Sequence, residues 1–265
     1  MNLETVIYEV EDGIATLTLN RPERANAISP QLSEDVHTVL DEVEQDKSIR
    51  ILVITGAGRH FCGGADLRAE RRGPTLIGPP GYDMFTRMEK IPQPVIAAIN
   101  GACMGGGCEL AIACDFRFIA DTATIGVPEI VFGSLPGTGG TQRLPRLVGL
   151  GKAKELIFTG LAIDAAEALR IGLVNRAVPA ADLMTEVRKF ADILKQRAAY
   201  ALTAAKFLTM RAMDVDLMTG LLLESRMGGG QATPEEREAA RRQAAESGQG
   251  PYARIFAQSE RQPPV

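Results

Sequence analysis

The sequence predicts an α/β protein with a helical C-terminal region, and three observations carry that prediction. Short apolar runs of strand character alternate with helical stretches between Thr5 and Ala120. From Thr141 onward Ala, Leu, Glu and Arg dominate, with apolar residues at helical spacing. Glycine-bearing loops follow predicted strands. Strands mixed with helices in this way, β-β-α repeated irregularly, belong to the α/β class.

Taken in order, Thr5–Glu9 and Ile14–Leu19 alternate as strands on either side of Asp12-Gly13, a turn dipeptide, so they form a hairpin. Asn20-Arg21-Pro22 breaks the second strand. Ser29-Pro30 then supplies an N-cap and a first-turn proline for an amphipathic helix to Gln45, with Leu32, Val36, Val39, Leu40 and Val43 on one face. Arg50–Thr55 and Pro94–Ile99 are continuous apolar runs of the kind buried strands show, and Tyr82–Ile91 between them is helical. Glu109–Cys114 is helical and Phe116–Ala120 is a strand. Helices follow at Lys152–Phe158, Ala165–Ile171, Asp182–Gln196, Ala199–Met210 and Val215–Met227. After Gly228-Gly229-Gly230, Thr233-Pro234-Glu235-Glu236 starts another with a cap and an acidic first turn.

Composition excludes several functions. The 265 residues carry a formal charge of −4, so the basic field that drives non-specific nucleic-acid binding is absent. The longest apolar runs fall far short of the roughly 18 residues that span a bilayer. Met1-Asn2-Leu3-Glu4 leads into strand-like sequence without the basic start of a signal peptide, so a cytoplasmic location is expected. The four cysteines, Cys62, Cys103, Cys108 and Cys114, make no disulfide scaffold and match no zinc spacing, and they are expected as buried small hydrophobes. No metal site is expected. Two histidines leave little for a histidine-based mechanism.

Nucleotide loops also fail. Gly149-Leu150-Gly151-Lys152-Ala153 has Arg146 where a phosphate-binding loop needs its first glycine, and Ala153 lacks the metal-binding hydroxyl. Gly56-Ala57-Gly58 and Gly137-Thr138-Gly139 meet Phe61 and Gln142 where the dinucleotide motif needs its last glycine.

Three loops remain: Phe61–Leu67, Gly101–Leu110, and the stretch holding Pro128-Glu129 and ending in Pro136-Gly137-Thr138-Gly139-Gly140. Glycines before a helix let the backbone approach a ligand and aim free N–H groups at it from the positive helix end. A tight turn or close helix packing accounts for any one loop alone. Two such loops after adjacent strands point to an oxyanion. Glu109 lies one helical turn past Gly106 in an apolar run, and Glu129 is the sole carboxylate between Ala123 and Arg143. Each alone could be a surface or ion-paired residue. A carboxylate in such a run is costly unless paired or shifted in pKa, the state that acid–base catalysis uses. Two of them beside two donor loops point to proton transfer next to a polarised carbonyl.

These residues together resemble the signature of the enoyl-CoA hydratase/isomerase (crotonase) superfamily. The resemblance runs through Asn20-Arg21-Pro22 to Asn26-Ala27, Phe61–Leu67, Ile99-Asn100-Gly101 to Cys114-Asp115, Pro128-Glu129-Ile130 and Pro136-Gly137 to Gln142-Arg143-Leu144-Pro145, and covers residues 5 to 225 with the helices that follow. It implies a crotonase-like ββα spiral core over residues 1–195, with a helical trimerisation region over 196–265. The N–H groups of Ala65 and Gly106 would form an oxyanion hole for a thioester oxygen. Glu109 would activate water, Glu129 would exchange the proton at Cα, and Gly137 would help place the water. Arg24, the Ala25–Ala27 backbone, Asp66 and Leu67 occupy the segments that contact coenzyme A.

The implied activity is hydration of a 2-enoyl-CoA to the 3-hydroxyacyl-CoA, with no metal or redox cofactor and with coenzyme A present only as part of the substrate. A double-bond isomerase, a hydratase for a branched or cyclic acyl-CoA, and a non-catalytic acyl-CoA carrier are the alternatives. Homotrimers or pairs of trimers are the implied assembly. The C-terminus departs from the family pattern at Glu235–Ala240, with Arg254 and Phe256 left as candidates to reach the coenzyme, and the 69–82 loop is where the fold shapes its acyl pocket.

Overall fold

The computed structural model describes residues 2–68, 83–228 and 232–246; the 69–82 loop, Arg254 and Phe256 lie outside them. The predicted hairpin is present as β1 (Val6–Glu11) and β2 (Ile14–Leu19), paired antiparallel with Glu11 opposite Ile14. Asp12 and Gly13 both have positive φ, 51° and 73°, the backbone that a two-residue turn of this hand requires. Helix α1 (Pro30–Gln45) starts where Ser29 predicts: the Ser29 hydroxyl accepts from Leu32 N, and the five predicted apolar residues are buried. Asp35, on the same helix, accepts from the N–H groups of Glu4 and Thr5 and from the Thr5 hydroxyl, which ties the chain ahead of β1 to α1.

From β3 onward each turn of chain contributes one strand to each of two sheets. β3 (Ile51–Gly56) is followed by β4 (His60–Cys62) and, beyond the 69–82 loop, by α2 (Met84–Lys90). β5 (Val95–Ile99) is followed by β6 (Ala102–Met104) and α3 (Gly106–Ala113), and β7 (Phe116–Ala120) by β8 (Thr124–Gly126) and α4 (Gly140–Thr159). Next come β9 (Ile163–Asp164), α5 (Ala165–Arg170), β10 (Arg176–Val178) and α6 (Leu183–Lys195). The larger sheet has the order β1-β2-β3-β5-β7-β10 and is parallel apart from the hairpin; the smaller has the order β4-β6-β8-β9. The irregular repetition read from the sequence is therefore regular. The strands of the smaller sheet, three residues or fewer, are too short to show a period.

The core sits on the larger sheet, where β5 is buried at every position. All four cysteines are buried and none forms a disulfide, and burial pushes the Cys62 thiol up to about 12. Two helices differ from the sequence reading. α3 begins at Gly106 rather than Glu109, and α4 begins at Gly140 rather than Lys152, its two segments meeting at Gly149 with φ 77° and ψ 158°.

The chain divides into two compact units, Met1–Ala191 and Asp192–Val265, with the boundary inside α6. The second unit holds α7 (Ala199–Arg211), α8 (Leu217–Gly228) and α9 (Pro234–Glu246). Neither α7 nor α8 has a buried residue, and Phe207, Leu217, Met218, Leu221 and Leu222 are exposed. No helix among the described residues is long and apolar enough to cross a membrane.

Candidate active site

The first part of the site is built by a buried amide. Asn26 has no exposed surface and a positive φ of 55°. Its Oδ1 accepts from Arg21 N, and its Nδ2 faces the carbonyls of Ala57, His60 and Phe61 at 3.0, 2.8 and 3.2 Å. This pins the 22–27 turn against the loop between β3 and β4. Arg21 closes the other side, donating to Ala27 O at 2.6 Å and pairing with Asp66 at 2.8 Å. Burial alone would raise the Asp66 pKa, but the hydrogen bond and charge of Arg21 outweigh it and hold the carboxyl below its usual range.

An open cavity of about 340 Å³ results, lined by Arg24, Ala25, Ala27, Ala65, Asp66 and Leu67. All five residues predicted from the resemblance to contact coenzyme A thus share one surface. Arg59, His60 and Arg68 line it too. They flank the Phe61–Leu67 loop in sequence and were not singled out from it. With Asp66 neutralised by Arg21, Arg24, Arg59 and Arg68 outweigh Glu23 in the lining and leave it positive.

The two glycine loops meet beside this cavity. Ile28 N donates to Gly64 O at 2.8 Å and Asp66 N to Ile28 O at 2.9 Å, a parallel bridge that turns the intervening Ala65 N–H to the opposite side. Gly64 has φ 98°, and a Cβ there would lie 2.9 Å from Met104 O and 3.3 Å from Gly106 N. A Cβ on Gly106 would lie 3.5 Å from Ala65 N. At Gly64, where φ is positive and the added Cβ would press on backbone, only glycine lets the loops close together, whereas at Gly106 the Cβ would make an ordinary contact with Ala65 N. Gly106 opens α3, so its N–H has no acceptor within the helix. Among the described residues, neither the Ala65 nor the Gly106 N–H has an acceptor. At the far end of α3, buried Arg117 donates to Cys114 O at 2.6 Å and to Leu173 O at 2.8 Å, placing a cation at the negative helix end.

Glu109 and Glu129 have unlike surroundings. Glu109, 2 % exposed, shares the first turn of α3 with Gly106, but its carboxylate reaches across to the start of α4. Its Oε1 accepts from Thr138 N at 2.7 Å and Gly140 N at 2.8 Å, and its Oε2 accepts from the Thr138 hydroxyl. Gly137 immediately precedes this contact and is exposed. Glu129 sits on a single 3-10 turn, Pro128–Phe132, with Oε1 3.0 Å from where a Gly105 Cβ would be. Its Oε2 is buried without a hydrogen-bond partner among the described residues. Burial raises its pKa, and repulsion from Glu109 raises it further.

The loop that holds Glu109 is itself clamped. Arg143 donates to Thr138 O at 2.7 Å and grips both oxygens of Glu89, on α2, at 2.5 and 2.8 Å. Thr138, Arg143 and Glu89 were not singled out from the sequence. Glu89 and Arg143 are 54 residues apart and Glu109 and Thr138 are 29 apart, so no local pattern marks either pair. Among the described residues no cluster of three or more His, Cys, Asp or Glu has the makings of a metal site.

This architecture, with one strand from each turn in each sheet and glycine loops opening α3 and α4, is the crotonase fold. A solved enoyl-CoA hydratase from Bacillus anthracis matches it with a TM-score of 0.80 at 38% identity, over 86% of this chain and 90% of that one. The sequence narrows the class further: the profile of the enoyl-CoA hydratase/isomerase family matches residues 9–253, and the chain belongs to that family. The short-chain-enoyl-CoA hydratase of Clostridium acetobutylicum is 42% identical over 234 residues, 86% of this chain and 90% of that protein. The crotonyl-CoA hydratase of Syntrophomonas wolfei is 39% identical over 230 residues, 85% of this chain and 88% of that protein.

Proposed function

We propose that this chain is an enoyl-CoA hydratase that adds water reversibly across the α,β-double bond of a 2-enoyl-CoA to give the 3-hydroxyacyl-CoA. The observation that carries the reading is the unlike pair of carboxylates beside two N–H groups that lack acceptors. As water attacks the β-carbon, electrons move onto the thioester oxygen, which the Ala65 and Gly106 N–H groups receive; one such donor is worth ~3 kcal/mol. Glu109, whose oxygens face only donors, takes a proton from the attacking water, and the Gly137 N–H helps orient that water. Glu129, which burial and the Glu109 charge make the readier proton holder, delivers a proton to the α-carbon. Exchange with solvent resets the pair. The chemistry calls for no metal or redox cofactor.

Arg24, Ala25, Ala27, Asp66 and Leu67 bind the coenzyme A portion of the substrate, with the positive lining suited to its phosphates. A homotrimer or dimer of trimers is the proposed assembly, supported by helices α7 and α8, which bury none of their residues. The cytoplasm is the proposed location, supported by four buried cysteines that form no disulfide.

The names of the C. acetobutylicum and S. wolfei relatives make crotonyl-CoA the first substrate to test, followed by long, branched and aromatic enoyl-CoAs. Turnover with any of them upholds the reading. Tight acyl-CoA binding with no turnover at all would instead favour a non-catalytic carrier.

A further inference from the structure

We infer that Thr138 is a positioning residue, whose hydroxyl selects the one oxygen site on Glu109 that remains open to water. The inference rests on the reading of Glu109 as the group that activates water. A carboxylate has about four acceptor sites, two on each oxygen. Two N–H donors, from Thr138 and Gly140, fill those of Oε1, and the Thr138 hydroxyl takes one of the two on Oε2. A single acceptor site is left, so the direction from which Glu109 takes a proton is set by where the hydroxyl sits. Without it, Oε2 would offer two sites, and a water bound at the second would not face the substrate.

The hydroxyl can act this way because its own backbone is held independently. Arg143 grips Thr138 O, and Glu89 grips Arg143 through both of its oxygens. Gly139 makes room for that grip: with φ 114°, a Cβ on it would overlap Arg143 Nη1 at 1.8 Å. Threonine is β-branched, so its χ1 has few choices, and a fixed backbone then fixes the hydroxyl. Removing the side-chain oxygen leaves the loop and both N–H donors in place.

Thr138→Val, which keeps the shape and removes the donor, is the decisive variant. It is expected to lower kcat for enoyl-CoA hydration about tenfold with KM within about twofold, because the lost contact orients the base rather than binding substrate. Thr138→Ser should restore kcat to within about threefold. Thr138→Ala replaces the valine variant if that one does not fold. A wild-type kcat in the valine variant, or a loss that serine does not restore, overturns the proposal.

A stability cycle over Thr138→Val, Glu109→Ala and the double variant, in which each single change removes the contact, separates this from the functional reading. Coupling of about tenfold in the unfolding equilibrium is expected for a hydrogen bond to a charged group, and additive effects would remove the contact on which the proposal depends. If the wild type hydrates no enoyl-CoA, the functional reading falls, and the cycle still decides whether the hydroxyl holds Glu109.

Discussion

Replacing Glu109 by glutamine tests the proposed chemistry while sparing the fold, and the hydrogen bonds around the residue show why. Its Oε1 accepts two N–H donors, at 2.7 and 2.8 Å, and its Oε2 faces the Thr138 hydroxyl. In Glu109→Gln the amide oxygen can take the place of Oε1 and keep both donors. The new Nε2 then faces the hydroxyl, which rotates to accept instead of donate. Both backbone donors keep an acceptor, so the stability loss should be about 1 kcal/mol, the difference between charged and neutral hydrogen bonds. Glu109→Ala, by contrast, strands two N–H groups at ~1–3 kcal/mol each and serves as the destabilised control.

The rate tells a different story from stability, because an amide cannot take the proton from water. Loss of a positioned acid–base group costs at least ~100-fold, or about 2.7 kcal/mol of barrier. The assay follows the loss of conjugated enoyl-thioester absorbance at saturating substrate, with melting curves measured in parallel. A folded Glu109→Gln enzyme with kcat within about threefold of wild type would refute the assignment. If, in addition, Glu129→Gln abolished double-bond migration, the isomerase would become the better account.

Gly106→Pro removes one proposed oxyanion donor while keeping a residue that first helical positions tolerate; hydration should fall at least ~100-fold, and near wild-type kcat in a folded variant would sink the oxyanion assignment. Glu129→Gln should raise the melting temperature near pH 8. The Glu129 pKa is raised in the folded protein by burial and then by Glu109, so the stability tied to its protonation is lost as pH rises from 4.5 through the folded value. The variant's advantage should therefore fade as pH falls toward 4.5, and an advantage that grew on acidification would contradict the unpartnered Oε2 as its source. Light scattering at micromolar concentration should give a multiple of three chains of 28.4 kDa, whereas a monomer mass would leave the exposed faces of α7 and α8 without the proposed role.

What could be read from the sequence follows the range over which each contact acts. The strands of the larger sheet were legible because β3 and β5 are buried on both faces and so appear as unbroken apolar runs. The smaller sheet was not, since strands of two or three residues carry no period, yet it joins the loops that bear the site. Glu109 and Glu129 stood out because a carboxylate in an apolar stretch is expensive wherever the chain folds. What each carboxylate meets was hidden: Thr138 reaches Glu109 from 29 residues away and Arg143 meets Glu89 from 54. The start of α4 was missed for a related reason. Glycines at 137, 139 and 140 and Pro145 lower local helix propensity, and tertiary contacts override it, with Gly140 N anchored on Glu109.

The unlike environments of the two glutamates have a common origin in where their turns fall. Glu109 projects from the first turn of α3 toward the start of α4, where helix geometry leaves N–H groups without internal acceptors, and its carboxylate satisfies them. Glu129 lies on a short 3-10 turn and points at Gly105, a residue with no side chain and with its own N–H already committed to Gly126 O. Glu109 therefore meets donors, while burial and the Glu109 charge raise the proton affinity of Glu129, so the two carboxylates are set apart before any substrate arrives. A hydration that takes a proton at one point and gives it at another needs that separation, since two equivalent carboxylates would compete for the same role. The fold produces it without a third charged residue between them, using one helix end for the first glutamate and a glycine surface for the second.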